Sequence, residues 1–215
     1  MRNLVNGQIL FGGNRPRLEE ERTISQRTYH HGNLRRTIID AAVQAITESG
    51  PAGWSLRELA RRANVSHAAP AHHFGDKTGL LTAVAAEGFE LFADALARAG
   101  DDLLDLGTAY VRFATDHRAY FEVMFRPELY RADDPEVTRA RARAGDLLTK
   151  GTRTLATGEE QERTAALAAW SIVHGFSTLW LSGALPDDLT GPPETAARPV
   201  LQVLFKGWQP PTATT

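Results

Sequence analysis

The chain has 215 residues, 42% of them hydrophobic, which is enough for one or two compact units with a sizeable core. It contains no cysteine, which excludes disulfides, thiolate zinc sites, iron–sulfur clusters and cysteine nucleophiles together and points to a cytoplasmic setting. The net charge of −2 hides a split: residues 1–77 hold 11 Lys and Arg against 7 Asp and Glu, and residues 78–215 hold 13 against 19. A basic head on an acidic body suits a polyanionic partner for the head alone.

Residues 1–28 are polar and charge-mixed with no sustained period, and read as a flexible N-terminal arm. A helical pattern starts at Asn33, a capping residue, with Leu34, Ile38, Ala41, Ala42, Ala45 and Ile46 on one face, and Gly50-Pro51 stops it. Ser55-Leu-Arg-Glu58 has capping-box form and opens a short helix over 55–62, with Leu56, Leu59 and Ala60 turned inward. The brief connection Ala63-Asn64-Val65 follows. Ser66 can then cap a helix over 66–72, about two turns long, before Phe74-Gly75. Pro70 falls inside that helix, where it deletes a donor and can kink or shorten it, but it is read as tolerated there.

A long helix begins near Asp76, carries Leu81, Val84, Ala85, Gly88, Phe92, Ala95 and Leu96 on one face, and ends at Gly100. Further helices are expected at 102–117, 118–126 (closed by Pro127), 135–155, 159–184 and 193–207. The 32 alanines and this spacing make the chain all-α. No apolar run approaches the roughly 18 residues a membrane span needs. The division expected is an arm at 1–28, a three-helix head at 29–78 and a larger helical body at 79–215, the last two rigidly joined through the long helix.

Two short helices with a very short connection over 55–74 form a helix-turn-helix signature. The second helix offers Ser66, His67, Ala68 and His72 as outward groups, small or polar enough to enter a groove and read base edges. Arg57, Arg61, Arg62 and Lys77 supply attraction to a phosphate backbone. Ser55, Arg57, His73 and Lys77 flank the second helix and are expected on the side facing the DNA strands.

Phosphate-loop, dinucleotide and nucleophile-elbow templates are all absent, as is a His-Glu-x-x-His zinc motif. No cofactor and no metal are expected, and the chain is not read as an enzyme. A helical enzyme using His117 and His174, or a helical interaction module without DNA binding, is the competing class. The aromatic residues of the body are first of all core. Yet Phe113, His117, Tyr120, Phe121, Met124, Trp170, His174 and Ser177 also suit the lining of one apolar cavity for a small hydrophobic effector.

The residues match a family as well. Tyr29-His-His-Gly-Asn33, Ile39-Asp-Ala-Ala42, Ser55-Leu-Arg-Glu-Leu-Ala-Arg-Arg62, Val65-Ser66 and His73-Phe74-x-x-Lys77 resemble the N-terminal domain of TetR-family transcriptional regulators. Tyr110-Val-x-Phe113, Tyr120-Phe-x-x-Met-Phe125 and Trp170-x-x-x-His174-Gly175 resemble the WHG-type C-terminal domain of one branch. The resemblance implies a homodimer that binds a palindromic double-stranded DNA operator, acts as a repressor and is released by its effector. Position 71 departs from the pattern: Ala71 stands where the family usually has an aromatic that packs over a phosphate.

Overall fold

The computed structural model describes residues 34–153 and 159–205, and among them every regular element is helical. The arm and the Tyr29–Asn33 segment lie outside the described residues. The first helix, α1, covers 34–49 and buries Ile38, Ile39, Ala42, Ala45 and Ile46. Gly50 ends it at φ +71°, a left-handed conformation that costs glycine nothing.

Then come α2 (Leu56–Arg62) and α3 (Ala69–Phe74). Ser55 caps α2 by accepting the Glu58 N–H at 3.2 Å. The reciprocal half of the expected capping box is missing, because the Glu58 carboxylate accepts from Arg62 instead. The α2–α3 turn is tight for a local reason. Asn64 adopts φ +53°, while Asn64 N–H reaches the Arg61 carbonyl and Val65 N–H the Ala60 carbonyl. This pairing is a Schellman motif with asparagine in the left-handed position.

The long helix α4 (Lys77–Ala99) is the axis of the molecule. Asp76 caps it through the Gly79 N–H at 2.6 Å. Around it pack α5 (Leu103–Asp116), α6 (Arg118–Met124) and α7 (Pro135–Thr152), with a 3-10 turn at Pro127–Leu129. Next, α8 (Glu159–Leu181) and α9 (Pro193–Phe205) lie on α5 and on each other. Asp102 and Asp134 cap α5 and α7, each accepting two backbone N–H groups. Helix boundaries thus fall within a few residues of those the sequence predicts.

A close approach of α4 and α6 is set by Gly88, where an added Cβ would meet the Met124 sulfur at 2.8 Å. Between α4 and α5 the core is aromatic: Phe92 lies 5.0 Å from both Tyr110 and Phe113, in ring-centroid distance.

The Glu160–Leu181 stretch is long and apolar enough, by length and composition alone, to cross a membrane, contrary to the expectation from unbroken runs. Its scattered Ser, Thr and His residues interrupt every run without lowering the average much. In the fold it buries Ala169, Val173, Phe176 and Ser177 against the body and leaves Leu167, Trp170 and Leu179 exposed.

Candidate nucleic-acid interface and effector site

The head is a small core with a polar outer face. Leu59 and Ala60 from α2 and Ala69 and Pro70 from α3 point inward, joining Ile38, Ala42 and Ile46 of α1. Ser66, His67, Ala68, Ala71 and His72 are all exposed, so one side of the turn and of α3 presents small or imidazole side chains together. Such a surface is thin enough to approach base edges in a major groove.

One sequence expectation needs correction here, and another finds its physical reason. The helix starts at Ala69 rather than Ser66, and Ala68 occupies the cap without a side-chain hydrogen bond. Ser66, His67 and Ala68 therefore belong to the turn. Pro70 sits in the first helical turn, where its missing N–H would have had no helical acceptor, so no kink follows.

The flanking cations divide by role. Arg57 and Arg61 are exposed. Arg62 is paired with Glu48 at the end of α1 and with Glu58 at 2.8 Å, so it fastens α2 to α1. Lys77 is half-buried: its Nζ donates to the Trp54 carbonyl at 2.7 Å and the Ala52 carbonyl at 3.2 Å, and sits 4.1 Å from the Trp54 ring centroid. Burial pulls its pKa below the usual lysine value. Lys77 thereby clamps the start of α4 to the loop before α2, with one N–H left. His73 is partly buried, edge-on to His72 with centroids 5.5 Å apart. Sequence reasoning passed over Arg35, whose guanidinium lies 5.3 Å over the Phe74 ring and ties α1 to α3.

In the body the expected lining residues do not meet in one enclosed cavity. Phe113 and His117 border a groove of about 500 Å³ between α4 and α5, whose other walls include Arg98, Asp105, Arg112 and Asp116. Phe121 and His174 border a second cavity of about 310 Å³ between α6 and α8, with Phe125, Arg118 and Arg126. Tyr120, Met124 and Ser177 line neither, being packed at 6%, 1% and 0% exposure. The Ser177 hydroxyl donates to the Val173 carbonyl at 2.8 Å. Trp170 borders a small space of about 20 Å³. The aromatic rings fill the volume between themselves, with Phe125 and Phe121 at 4.7 and 5.2 Å from the His174 ring. Spacing along a helix could not reveal that, because void or contact depends on side chains arriving from other helices.

Residues 38–84 match the profile of bacterial regulatory proteins of the tetR family, and residues 103–204 match the tetracyclin repressor-like C-terminal domain. The chain belongs to the TetR family of transcriptional regulators. Its head carries that family's helix-turn-helix DNA-binding unit. Over 49 residues it is 47% identical to the HTH-type transcriptional regulator BetI of Burkholderia thailandensis, a match spanning 23% of this chain and a quarter of that relative's length. A solved protein of unknown function from Rhodococcus sp. RHA1 is 32% identical, with 83% of this chain and 97% of that one covered and a TM-score of 0.68. The fold also resembles AibR in complex with isovaleryl coenzyme A and operator DNA, at 21% identity, 80% and 98% coverage and a TM-score of 0.58.

In this TetR-family chain, head and body are tied by polar contacts that the sequence did not reveal. The Glu87 carboxylate on α4 accepts from Arg36 of α1 at 2.5 Å and from the Tyr120 hydroxyl of α6 at 2.8 Å. Arg36 also pairs with Asp40. Burial, followed by the Glu87 carboxylate, pushes the Tyr120 hydroxyl up to about 12. Near the recognition turn, Arg131 reaches both Asp76 carboxylate oxygens at 2.9 and 3.0 Å, and its backbone N–H donates to Thr82. These links join helices 33 to 55 positions apart, which no local pattern encodes.

Proposed function

We propose that the protein is a cytoplasmic, effector-responsive repressor that binds a palindromic operator as a homodimer. One observation carries the DNA reading: Ser66, His67, Ala68, Ala71 and His72 stand exposed together on a turn and short helix held rigid by the core of the head. In this reading Ser66, His67, Ala68 and His72 reach base edges, while Ser55, Arg57, His73 and the remaining N–H of Lys77 meet phosphates. Phosphate contacts set affinity and base contacts set sequence preference. Ala71 lacks the aromatic contact the family pattern supplies, so affinity falls more heavily on the flanking cations.

The dimer reading rests on α8 and α9. Leu167, Trp170 and Leu179, with Val200 and Val203, are 41–58% exposed, and such a set seeks cover. A two-fold four-helix interface would bury on the order of 1,500 Å² in total, and would set the two reading helices about 34–36 Å apart. Leu167→Glu combined with Leu179→Glu should leave a folded monomer in analytical ultracentrifugation; a dimer that survives both charges would refute the interface.

Effector release follows from α4, which runs from the head along the larger groove and packs against α6, one wall of the smaller cavity. AibR, of similar fold, was solved with isovaleryl coenzyme A and operator DNA, which supports an acyl-bearing effector class in a body of this shape. Trp170, His174 and Gly175 support reading the body as the WHG-type branch. The deciding experiment is fluorescence anisotropy of the full chain with duplexes from beside its own gene. A specific site should bind about a thousandfold or more tighter than random duplex, with affinity falling steeply in salt. Equal affinity for all duplexes would overturn the operator reading.

A further inference from the structure

The cavity of about 310 Å³ between α6 and α8 combines a mostly apolar floor, Phe121 and Phe125, with Arg118 and Arg126 at its edge and His174 in its wall. It holds about ten water volumes at roughly 30 Å³ each, which suits a small organic molecule. What distinguishes it is the histidine.

Behind His174 runs a hydrogen-bonded relay. The Trp170 indole Nε1–H donates to the Tyr110 hydroxyl at 3.2 Å, and that hydroxyl lies 2.9 Å from His174 Nδ1. An indole N–H can only donate. Tyr110 is 0% exposed, and these two groups are the hydrogen-bond neighbours of its hydroxyl among the described residues. Were Nδ1 protonated, both neighbours would donate to the phenol oxygen, and a fully enclosed O–H would have no acceptor. The consistent arrangement has the phenol donating to an unprotonated Nδ1, which leaves the proton on Nε2. Burial also lowers the His174 pKa, keeping the ring neutral at pH 7.

Nε2 points away from Tyr110 and meets no acceptor among the described residues. Trp54 Nε1 is the one enclosed side-chain polar atom without a partner among them, so Nε2 is not sealed off, and its ring borders the cavity. Arg118 and Arg126 use only Nε, on Glu122 at 2.7 Å and Glu128 at 3.0 Å. Their terminal amino groups make no hydrogen bond among the described residues. Three groups with donors to spare therefore line an apolar slot, and Glu122, the acidic lining residue, is already paired.

We propose that this cavity binds an apolar carboxylate: one oxygen accepts from His174 Nε2–H, an arginine at the edge meets the charge, and the tail lies on Phe121 and Phe125. Tyr110 and Trp170 are positioning residues that fix the histidine's tautomer. The proposal rests on the effector-responsive reading and gives that effector a chemical class and a binding place.

The test uses the full-length protein titrated calorimetrically with butanoate, octanoate and dodecanoate, and with 1-octanol as the uncharged counterpart. At least one carboxylate should bind at least about tenfold tighter than the alcohol. His174→Phe should abolish that preference, and His174→Gln, which keeps an N–H donor, should recover part of it. Nitrogen NMR of the wild-type imidazole should show a protonated Nε2 and a bare Nδ1, and Tyr110→Phe should mix the tautomers while the fold persists by circular dichroism. Failure of all three carboxylates to bind, an unchanged preference in a folded His174→Phe variant, or a protonated Nδ1 would each overturn the site. Carboxylate binding with the predicted tautomer but no change in operator affinity would leave the site standing and sink the effector reading instead.

Discussion

Replacing Lys77 by methionine separates its two assigned jobs. Methionine keeps most of the stem's packing but removes the ammonium that donates to the Trp54 and Ala52 carbonyls and sits over the Trp54 ring. A hydrogen bond from a charged group is worth about 1.5–3 kcal/mol when sheltered, and a cation–π contact about 0.5–1 kcal/mol at exposed sites. Lys77 is only half-buried and water can replace part of each contact, so the sum is discounted to about 2 kcal/mol. For a protein of this length that lowers the melting temperature by about 4–8 °C, read by circular dichroism. The second job is read from DNA affinity against salt: loss of one phosphate contact flattens the slope of log K against log salt by about one. A melting temperature within about 1 °C of the parent's would refute the clamp. An unchanged salt slope would remove Lys77 from the phosphate contacts and leave the clamp intact.

Three further outcomes are expected. His72→Ala should reduce discrimination at one operator position by about 1–3 kcal/mol while leaving random-duplex affinity nearly unchanged, measured by competition anisotropy against single-base variants. Tyr120→Phe removes one donor from Glu87 and should weaken the coupling of effector to operator by up to about tenfold, seen as a smaller effector-induced shift in operator affinity at unchanged effector binding. The lowered His174 pKa has a definite sign. The unfolded imidazole takes its proton near its ordinary value of about 6.5 and the folded one only at lower pH. Stability from this group is therefore complete above that value and is lost as pH falls through the folded pKa. Urea midpoints should decline on acidification below about pH 6.5, and His174→Gln should flatten that decline.

Much of the architecture was legible in the sequence because the signals are local. Ser55 caps α2 through a bond three residues long, Gly50 and Gly100 end helices at positive φ, and the spacing of Leu59, Val84 and Leu96 states which faces are buried. Such features act within a turn or two and survive reading one residue at a time. The helix-turn-helix was visible for the same reason, although Asn64 was legible only as part of the connection and the start of α3 slid from Ser66 to Ala69 where no side chain marks the cap. The tertiary structure decided what depends on partners distant in the chain. It placed Lys77 on carbonyls 23 and 25 residues earlier, Tyr120 on Glu87, and Tyr110 on His174 across 64 positions. It also divided the expected effector lining between two cavities and packed the rest. A periodic pattern gives the face of a helix that is buried; whether that face meets a ring, a carboxylate or empty space is fixed only when the other helices close over it, since contact falls off within an ångström or so of van der Waals distance.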